Sequence, residues 1–272
     1  MKKLLILGAS GLVGRAIIEE FKEVYDLYGT YASTQTKLPP DKQIQLEVHQ
    51  THEMRDILRS IKPDIVISCL RGEFGQQLKF HRELAEELRN TTSSHYFFST
   101  TNVFDGDFSK PHIETDVPIA ESDYGKFKIE CENMLAEILE ERFHIIRIPA
   151  IWGKDSPRWN MIIESIKDTK VIEAYSNLFC NNLLDVQLAR QLRFIIENKL
   201  KGIFHLGSVD SMTQSQFYEY ILTKLGSGLD LLKSNHYLDS DKTFYFELQS
   251  TRNDIPESLQ STNKDIISYL LG

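Results

Sequence analysis

The run Leu4-Leu5-Ile6-Leu7-Gly8-Ala9-Ser10-Gly11-Leu12-Val13-Gly14 decides the fold of this chain. Its four leading apolar residues form a short strand of the kind that a parallel sheet buries on both faces. Three glycines follow at intervals of three, and Ile17, Ile18 and Phe21 then share one side of an amphipathic helix. Glycines between a strand and a helix let the backbone approach a pyrophosphate at the helix N-terminus. The stretch therefore predicts a dinucleotide-binding loop.

Strand and helix patterns alternate downstream of this loop. Strands are predicted at 27–31, 44–48, 65–67, 96–98 and 143–148, and helices between them at 54–61, 78–88 and about 122–141. This alternation predicts an α/β protein with a Rossmann-like, doubly wound parallel sheet.

The rhythm loosens after Trp152. Helices are predicted at 159–166, 186–198 and 214–225, with a strand at 203–206 and an irregular polar tail. We expect residues 1–151 to form an NAD(P)-binding domain and residues 152–272 to form mainly a smaller C-terminal substrate-binding lobe. The two are interleaved, because the strand near 203–206 is expected to return to the sheet.

The bulk composition excludes several classes of protein. The chain has 272 residues, of which 41% are hydrophobic, and a net charge of −8. The acidic balance argues against nucleic-acid and anionic-membrane partners, and no apolar run is long enough to span a bilayer. Three scattered cysteines argue against a disulfide framework, and no acid-and-histidine cluster with metal spacing accompanies His49 and His52. We expect a cytoplasmic protein without a metal site.

The end of the second predicted strand bears on the identity of the dinucleotide. Its sequence, Gly29-Thr30-Tyr31-Ala32-Ser33-Thr34, lacks the acid that would bind the adenosine ribose of NAD. Side chains suited to a 2′-phosphate are Ser33, Thr34, Lys37 and Arg15. The pattern favours NADPH, with NADH as the alternative.

A second chemical signal is the pair Tyr124 and Lys128, four residues apart in a predicted helix. This spacing places an ammonium and a phenol on one helix face. A neighbouring positive charge favours the phenolate, so we expect the pKa of Tyr124 to fall. Hydroxyl-bearing residues at 99–101 follow a predicted strand, and ligands of doubly wound sheets bind at such strand ends.

Together these segments resemble the extended short-chain dehydrogenase/reductase superfamily. Within it, the chain resembles the branch of the dTDP-4-dehydrorhamnose reductases and the related regulatory β subunits of methionine adenosyltransferase. The matching segments are the glycine loop, the strand at 62–69, residues 99–106, the Tyr-x-x-x-Lys pair at 124–128, residues 147–153 and, loosely, Arg252 with 258–264. Residues 99–106 are similar to a Ser-Thr-Asp-Tyr-Val-Phe-Asp-Gly signature.

The resemblance implies an NAD(P)H-dependent reductase acting on a keto group of a nucleotide-linked sugar. Tyr124 would donate the proton to the keto oxygen, Thr100 would hydrogen-bond that oxygen, and Lys128 would hold the nicotinamide ribose. Residues expected to line the cofactor are Gly8, Ser10, Gly11, Leu12, Val13, Gly14, Tyr31, Ser33, Cys69, Leu70, Ser99, Tyr124 and Lys128. Residues expected at the substrate are Thr101, Asn102, Val103, Trp152 and Arg252.

Two departures from the branch keep alternatives open. Thr101 and Asn102 replace the aspartate and the tyrosine of the signature, and Arg71 lies where a small Ala-Ala pair is expected. The first alternative is a non-catalytic or regulatory NAD(P)-binding subunit of the same fold. The second is a sugar-nucleotide epimerase or dehydratase. A homodimer is expected by analogy alone.

Overall fold

A computed structural model describes all 272 residues, and its first half alternates strands with helices. In chain order these elements are β1 (Lys3–Leu7), α1 (Leu12–Phe21), β2 (Asp26–Tyr31), β3 (Gln43–Gln45), α2 (Thr51–Ile61), β4 (Ile65–Ser68), α3 (Phe74–Leu88), β5 (Ser94–Thr100), α4 (Asp123–Leu139) and β6 (Phe143–Ile148). A short 3-10 turn, Thr101–Phe104, follows β5 directly.

The second half contains shorter strands and four further helices. They are β7 (Ala150–Trp152), α5 (Pro157–Lys167), β8 (Ile172–Tyr175), β9 (Leu178–Cys180), β10 (Asn182–Leu184), α6 (Asp185–Glu197), β11 (Ile203–His205), β12 (Met212–Thr213), α7 (Gln214–Lys224), β13 (Leu232–Asn235), β14 (Phe244–Phe246) and α8 (Asn263–Leu271).

Seven parallel strands form the central sheet in the order β11-β6-β5-β4-β1-β2-β3. The predicted fold class, a Rossmann-like doubly wound sheet, is therefore confirmed. The chain changes direction across the sheet between β1 and β4, and such a switch point opens a crevice at the carboxyl ends of the strands. Strand β11 comes from the second half of the chain and pairs with β6 at the sheet edge.

Apolar side chains that alternate along the strands build a core on each face of the sheet. On one face, Leu4 and Ile6 of β1 pack with α1 and α6. On the other, Leu5 and Leu7 pack with α2, α3 and α4. Because these strands are apolar on both faces, they require helices on both sides. The layering places the N-terminus of α1 and the start of α4 at the same edge of the sheet.

A separate apolar cluster holds together the smaller group of elements that follows β6. It joins Trp152 to residues of α5, α7 and α8. The tail was predicted to be irregular, and this prediction is wrong for α8. That helix begins with a capping box formed by Thr262 and Asp265, and it buries Ile266 and Ile267. A nine-residue helix is too short to be stable alone, so this packing forms it.

None of the helices combines the length and the hydropathy needed to cross a membrane.

Candidate active site

A cavity of about 1490 Å³ lies at the carboxyl ends of the central strands. It runs without interruption from the glycine loop, past Thr100 and Tyr124, to Arg158 and Tyr218 in the smaller group of elements. One cavity thus contacts both halves of the chain, an arrangement that could hold a cofactor and a substrate side by side.

The glycine loop at one end has the geometry of a phosphate cradle. Gly8 adopts φ +80°, and a Cβ there would lie 2.8 Å from the carbonyl oxygen of Cys69, so the turn requires glycine. Gly11 is the N-cap of α1 and offers no side-chain cap. The first N–H groups of α1 therefore remain available for an anion at the cavity wall.

A buried hydroxyl group further along the cavity also suits a polar ligand. Ser99 is 2% exposed and lines the cavity, yet its Oγ has no hydrogen-bond partner within the chain. Buried polar atoms are normally paired, so this oxygen fits a ligand group such as a cofactor hydroxyl or amide. The glycine loop and Ser99 together fit a nicotinamide dinucleotide.

The side chains proposed for a 2′-phosphate are arranged differently from the expectation. Tyr31 lines the cavity, whereas Ser33 is exposed and lies outside the cavity wall. The Arg15 guanidinium donates to the carbonyl oxygen of Ser10. Ser33 is therefore not a wall residue, because β2 ends at Tyr31 and the chain then turns towards solvent.

The start of α4 is fixed by a set of short-range contacts. The Ser122 hydroxyl caps the helix by accepting from the Gly125 N–H at 3.0 Å, and it donates to the Asp105 carboxylate. Gly125 is the glycine of the Tyr-x-x-x-Lys motif, and a Cβ there would lie 2.2 Å from the carbonyl oxygen of Asn102. The motif glycine therefore allows α4 to contact the turn that follows β5.

This contact places the Tyr124 phenol near the Thr100 hydroxyl, which lowers the pKa of the phenol. Tyr124 remains 37% exposed at the cavity. The Thr100 hydroxyl also donates to Asn102 Oδ1 at 3.1 Å and accepts from the Asn102 N–H at 3.3 Å. Asn102 thus orients Thr100, which in turn faces the phenol.

The ammonium of Lys128 is buried behind the phenol. Its Nζ donates to the carbonyl oxygen of Phe98 at 2.8 Å and lies 5.9 Å from the centre of the Tyr124 ring. Burial lowers the pKa of Lys128 to about 8. Two of its three N–H donors remain for a ligand.

The expected fall in the pKa of Tyr124 does not occur in the structure. Burial raises the pKa of Tyr124, and this outweighs the opposing effects of the Thr100 hydroxyl and the Arg71 charge. The Lys128 side chain extends to the carbonyl oxygen of Phe98. The cation that favours the phenolate is instead Arg71, an exposed cavity residue without a hydrogen-bond or ion-pair partner.

The turn after β5 separates residues that were expected to act together on the substrate. Thr101 lines the cavity, but it is 2% exposed and its hydroxyl points to the carbonyl oxygen of Ile148 at 3.4 Å. Val103 does not reach the cavity. It is fully buried against Phe104 and Leu248, so the structure places its side chain in the core.

The two substrate contacts expected further along the chain also differ in placement. Trp152 borders the cavity but is 2% exposed, and its indole N–H donates to Asn182 Oδ1 at 2.7 Å. Arg252 lies away from the cavity, where it pairs with Asp254 and stacks over Phe204 at 4.0 Å. The structure therefore does not bring Arg252 to the cavity wall with Thr101, Asn102 and Trp152.

The comparisons with known proteins agree with this architecture. Residues 74–236 match the family described as the RmlD substrate binding domain. The chain belongs to this family. The match spans the turn after β5, the Tyr-x-x-x-Lys motif of α4 and most of the smaller group of elements, so the resemblance seen in the sequence is confirmed.

Individual relatives of this RmlD-family chain are distant. A probable low-salt glycan biosynthesis reductase, Agl14, of Haloferax volcanii is 22% identical over 260 residues, which cover 87% of the chain and 85% of that protein. The methionine adenosyltransferase 2 subunit beta of Bos taurus is 23% identical over 237 residues, covering 78% and 69%. A dTDP-4-dehydrorhamnose reductase of Bacillus anthracis, solved in complex with NADP, superposes with a TM-score of 0.81 at 19% identity, covering 99% and 98%.

The far wall of this RmlD-family cavity combines one arginine with several aromatic side chains. Arg158, at the start of α5, lines the cavity without a hydrogen-bond or ion-pair partner. Phe108, Tyr237 and Phe246 form an aromatic wall with ring centres 5.4 to 5.8 Å apart, and the exposed Leu238 adjoins it. No local pattern marked the aromatic positions or Leu238 as site residues, because distant segments meet there only in the folded chain.

Proposed function

We propose that the protein is an NAD(P)H-dependent reductase that acts on a keto group of a nucleotide-linked sugar. The observation that carries this proposal is the triad of Tyr124, Thr100 and Lys128 in the middle of one continuous cavity. The glycine loop lies at one end of this cavity, and an unpaired arginine lies at the other. Relatives that are named as reductases support the same reaction class.

The residues present divide the chemistry between them. A nicotinamide cofactor bound at the glycine loop would supply the hydride. The Tyr124 phenol would give its proton to the keto oxygen, because its raised pKa keeps it protonated at neutral pH. Thr100 would donate to the same oxygen after releasing Asn102 Oδ1. Lys128, fixed by Phe98, would bind a ribose hydroxyl with its remaining donors.

The far end of the cavity suits the phosphates of a nucleotide-linked substrate. Arg158 is exposed, unpaired and placed at the first turn of α5. An arginine and a helix N-terminus together favour a phosphate oxygen. Gln214 and Tyr218 line the cavity beside it and offer polar groups for the rest of the nucleotide.

We propose NADPH as the cofactor, since no carboxylate follows β2. Glu47, which lines the cavity beyond β3, is the acid that would read a free ribose hydroxyl in NADH. Titrating the purified protein separately with NADPH and NADH tests this choice without any turnover. Tighter binding of NADH would overturn it.

The reaction is tested by mixing the protein with NADPH and a panel of nucleotide-linked keto-sugars, and following the loss of NADPH absorbance. Tyr124→Phe should abolish consumption while NADPH affinity stays within about threefold of the wild type, since the phenol adds little to ground-state binding. Tyr269→Phe on the surface of α8 is the matched control and should retain full activity.

A second function is favoured by one specific observation. Thr101 replaces the aspartate of the signature, and its hydroxyl is engaged by the backbone of β6. A non-catalytic cofactor-binding subunit would bind NADPH tightly and consume none across the whole panel, and this outcome would refute the reductase. Product formation without net NADPH consumption would instead indicate an epimerase or dehydratase.

A further inference from the structure

A buried ion pair fastens α4 to β6 one turn beyond Lys128. Arg147 donates to Glu132 through Nε at 3.1 Å and through Nη2 at 2.7 Å, and these side chains are 2% and 3% exposed respectively. Tyr124, Lys128 and Glu132 follow one another at intervals of four, so they share one face of the helix. A two-pronged pair fixes orientation as well as distance. The pair therefore sets how the face that carries Tyr124 meets the sheet.

The remaining end of Arg147 extends this network into the second half of the chain. Its Nη1 lies 3.2 Å from Nε2 of His205, while Nδ1 of His205 lies 3.0 Å from the carbonyl oxygen of His112 and 3.2 Å from that of Gln249. Because carbonyl oxygens only accept, Nδ1 carries the hydrogen and Nε2 accepts from Arg147. His205 thus links β6 to two segments, 105–122 and 244–251.

Glu114 ties these two segments to each other. Its Oε1 accepts from the Ser250 hydroxyl at 2.5 Å and from the His205 N–H at 3.3 Å. Its Oε2 accepts from the N–H and the hydroxyl of Thr251, both at 2.9 Å. Segment 244–251 lines the cavity with Phe246, and segment 105–122 ends at the N-cap of α4. Both segments therefore border the cavity and also meet the buried network.

We propose that Arg147 is a positioning residue that couples the substrate end of the cavity to the placement of Tyr124 and Lys128. A substrate that presses on Phe246 would displace segment 244–251 and, with it, the contact between Ser250 and Glu114. The displacement passes through His205 and Arg147 to Glu132 on α4. The kinetic part of this inference rests on the proposed function, whereas the structural coupling does not.

The experiment perturbs the network at its far end. Ser250→Ala removes one hydroxyl that has no contact with α4, Glu132→Gln breaks the ion pair while keeping its shape, and the double variant combines them. Ser268→Ala is the matched control, because that hydroxyl donates only to a carbonyl oxygen within α8. Hydrogen exchange of the amides at 124–131 is measured on the protein alone, and kcat and KM are measured with NADPH and a turned-over sugar nucleotide.

Coupling predicts that Ser250→Ala accelerates exchange in this stretch of α4 and lowers kcat, each by about threefold or more, a typical size for network coupling. KM should stay within about twofold, since no substrate contact is removed. In the Glu132→Gln background, the further effect of Ser250→Ala should disappear. Ser268→Ala should change neither quantity.

Two results would overturn the inference. One is that Ser250→Ala, like Ser268→Ala, leaves the hydrogen exchange of the α4 amides unchanged and alters only the midpoint of unfolding. The other is that the effects of Ser250→Ala and Glu132→Gln on exchange add in full. If the wild type consumes no NADPH while the effects of Ser250→Ala and Glu132→Gln on α4 hydrogen exchange are still non-additive, the reductase proposal is refuted and the positioning role is supported.

Discussion

Replacing Gly125 by alanine tests whether the site depends on the close approach of α4 to the turn after β5. In an open helix this change stabilises by about 1 kcal/mol, because alanine has the higher helix propensity. Here the new Cβ would lie 2.2 Å from the carbonyl oxygen of Asn102 and 2.7 Å from the Cβ of Ala120. An ordinary carbon–oxygen contact is about 3.3 Å, so the backbone must separate by about 1 Å.

Both stability and activity should reveal this displacement. Overpacking against backbone costs about 1–3 kcal/mol, so we expect Gly125→Ala to destabilise the protein by about 2 kcal/mol instead of stabilising it. The phenol of Tyr124 moves with the helix, and a misplacement of about 1 Å costs about 100-fold in rate. Urea unfolding and NADPH oxidation measure the two effects.

The matched control is Gly75→Ala in the first turn of α3. A Cβ there meets only the carboxylate oxygens of Glu73, at 3.3 Å, and a side-chain end can move. Because that carboxylate also caps α3 by accepting from the N–H groups of Gly75 and Gln76, we expect stability within about 1 kcal/mol of the wild type and unchanged activity. A Gly125→Ala protein that is as stable as Gly75→Ala and retains activity within about threefold would refute the argument, because the helix would then tolerate the separation.

Three further predictions concern the residues around the phenol and the cofactor loop. Burial lowers the pKa of Lys128 from 10.5 to about 8, so its charge destabilises the fold below pH 8, and deprotonation relieves this cost as the pH rises toward 10.5. The free energy of unfolding of Lys128→Met, measured with urea at pH 7, should therefore exceed that of the wild type by at most about 3 kcal/mol, reduced by the loss of the hydrogen bond to Phe98. This difference in unfolding free energy should be smaller at pH 10, and a difference that stays constant with pH would contradict the argument. Arg71→Gln removes the cation that lowers the pKa of Tyr124. Because the phenol donates a proton only when it is protonated, the fall of kcat at alkaline pH should then begin at a higher pH than in the wild type. A shift of this fall to lower pH would disprove the assignment. Gly8→Ala combines a strained φ of +80° with a 2.8 Å backbone contact, so NADPH affinity in a binding titration should fall by about tenfold or more, and an unchanged affinity would show that the loop adapts.

The sheet was predictable because its strands carry their signal locally. Continuous apolar runs such as those of β1 and β4 can be buried only between two layers of helices. The glycine loop is equally local, since it joins one strand directly to one helix. The short strands β7, β9 and β10 have three residues each, and a run of that length carries no periodicity that distinguishes it from a loop.

The candidate site was less predictable, because side-chain direction depends on the surrounding backbone. Thr101 and Val103 belong to one 3-10 turn, which rotates successive side chains by a third of a turn and sends the valine into the core. Arg252 follows a segment that is placed by the pairing of Leu248 with His112, a contact between distant parts of the chain. The spacing of Tyr124 and Lys128 predicted their proximity, but it did not predict that Phe98 would bind the ammonium.

The origin of β11 in the second half of the chain has a consequence during synthesis on the ribosome. Its partner β6 ends about 55 residues before β11 begins, and at about 5–20 residues per second this delay is about 3–11 s. During that interval a nascent sheet of six strands would present the backbone of β6 as an open edge. Open edges pair readily with other chains, so we expect the emerging polypeptide to be most vulnerable to misassembly between the completion of Ile148 and the arrival of His205.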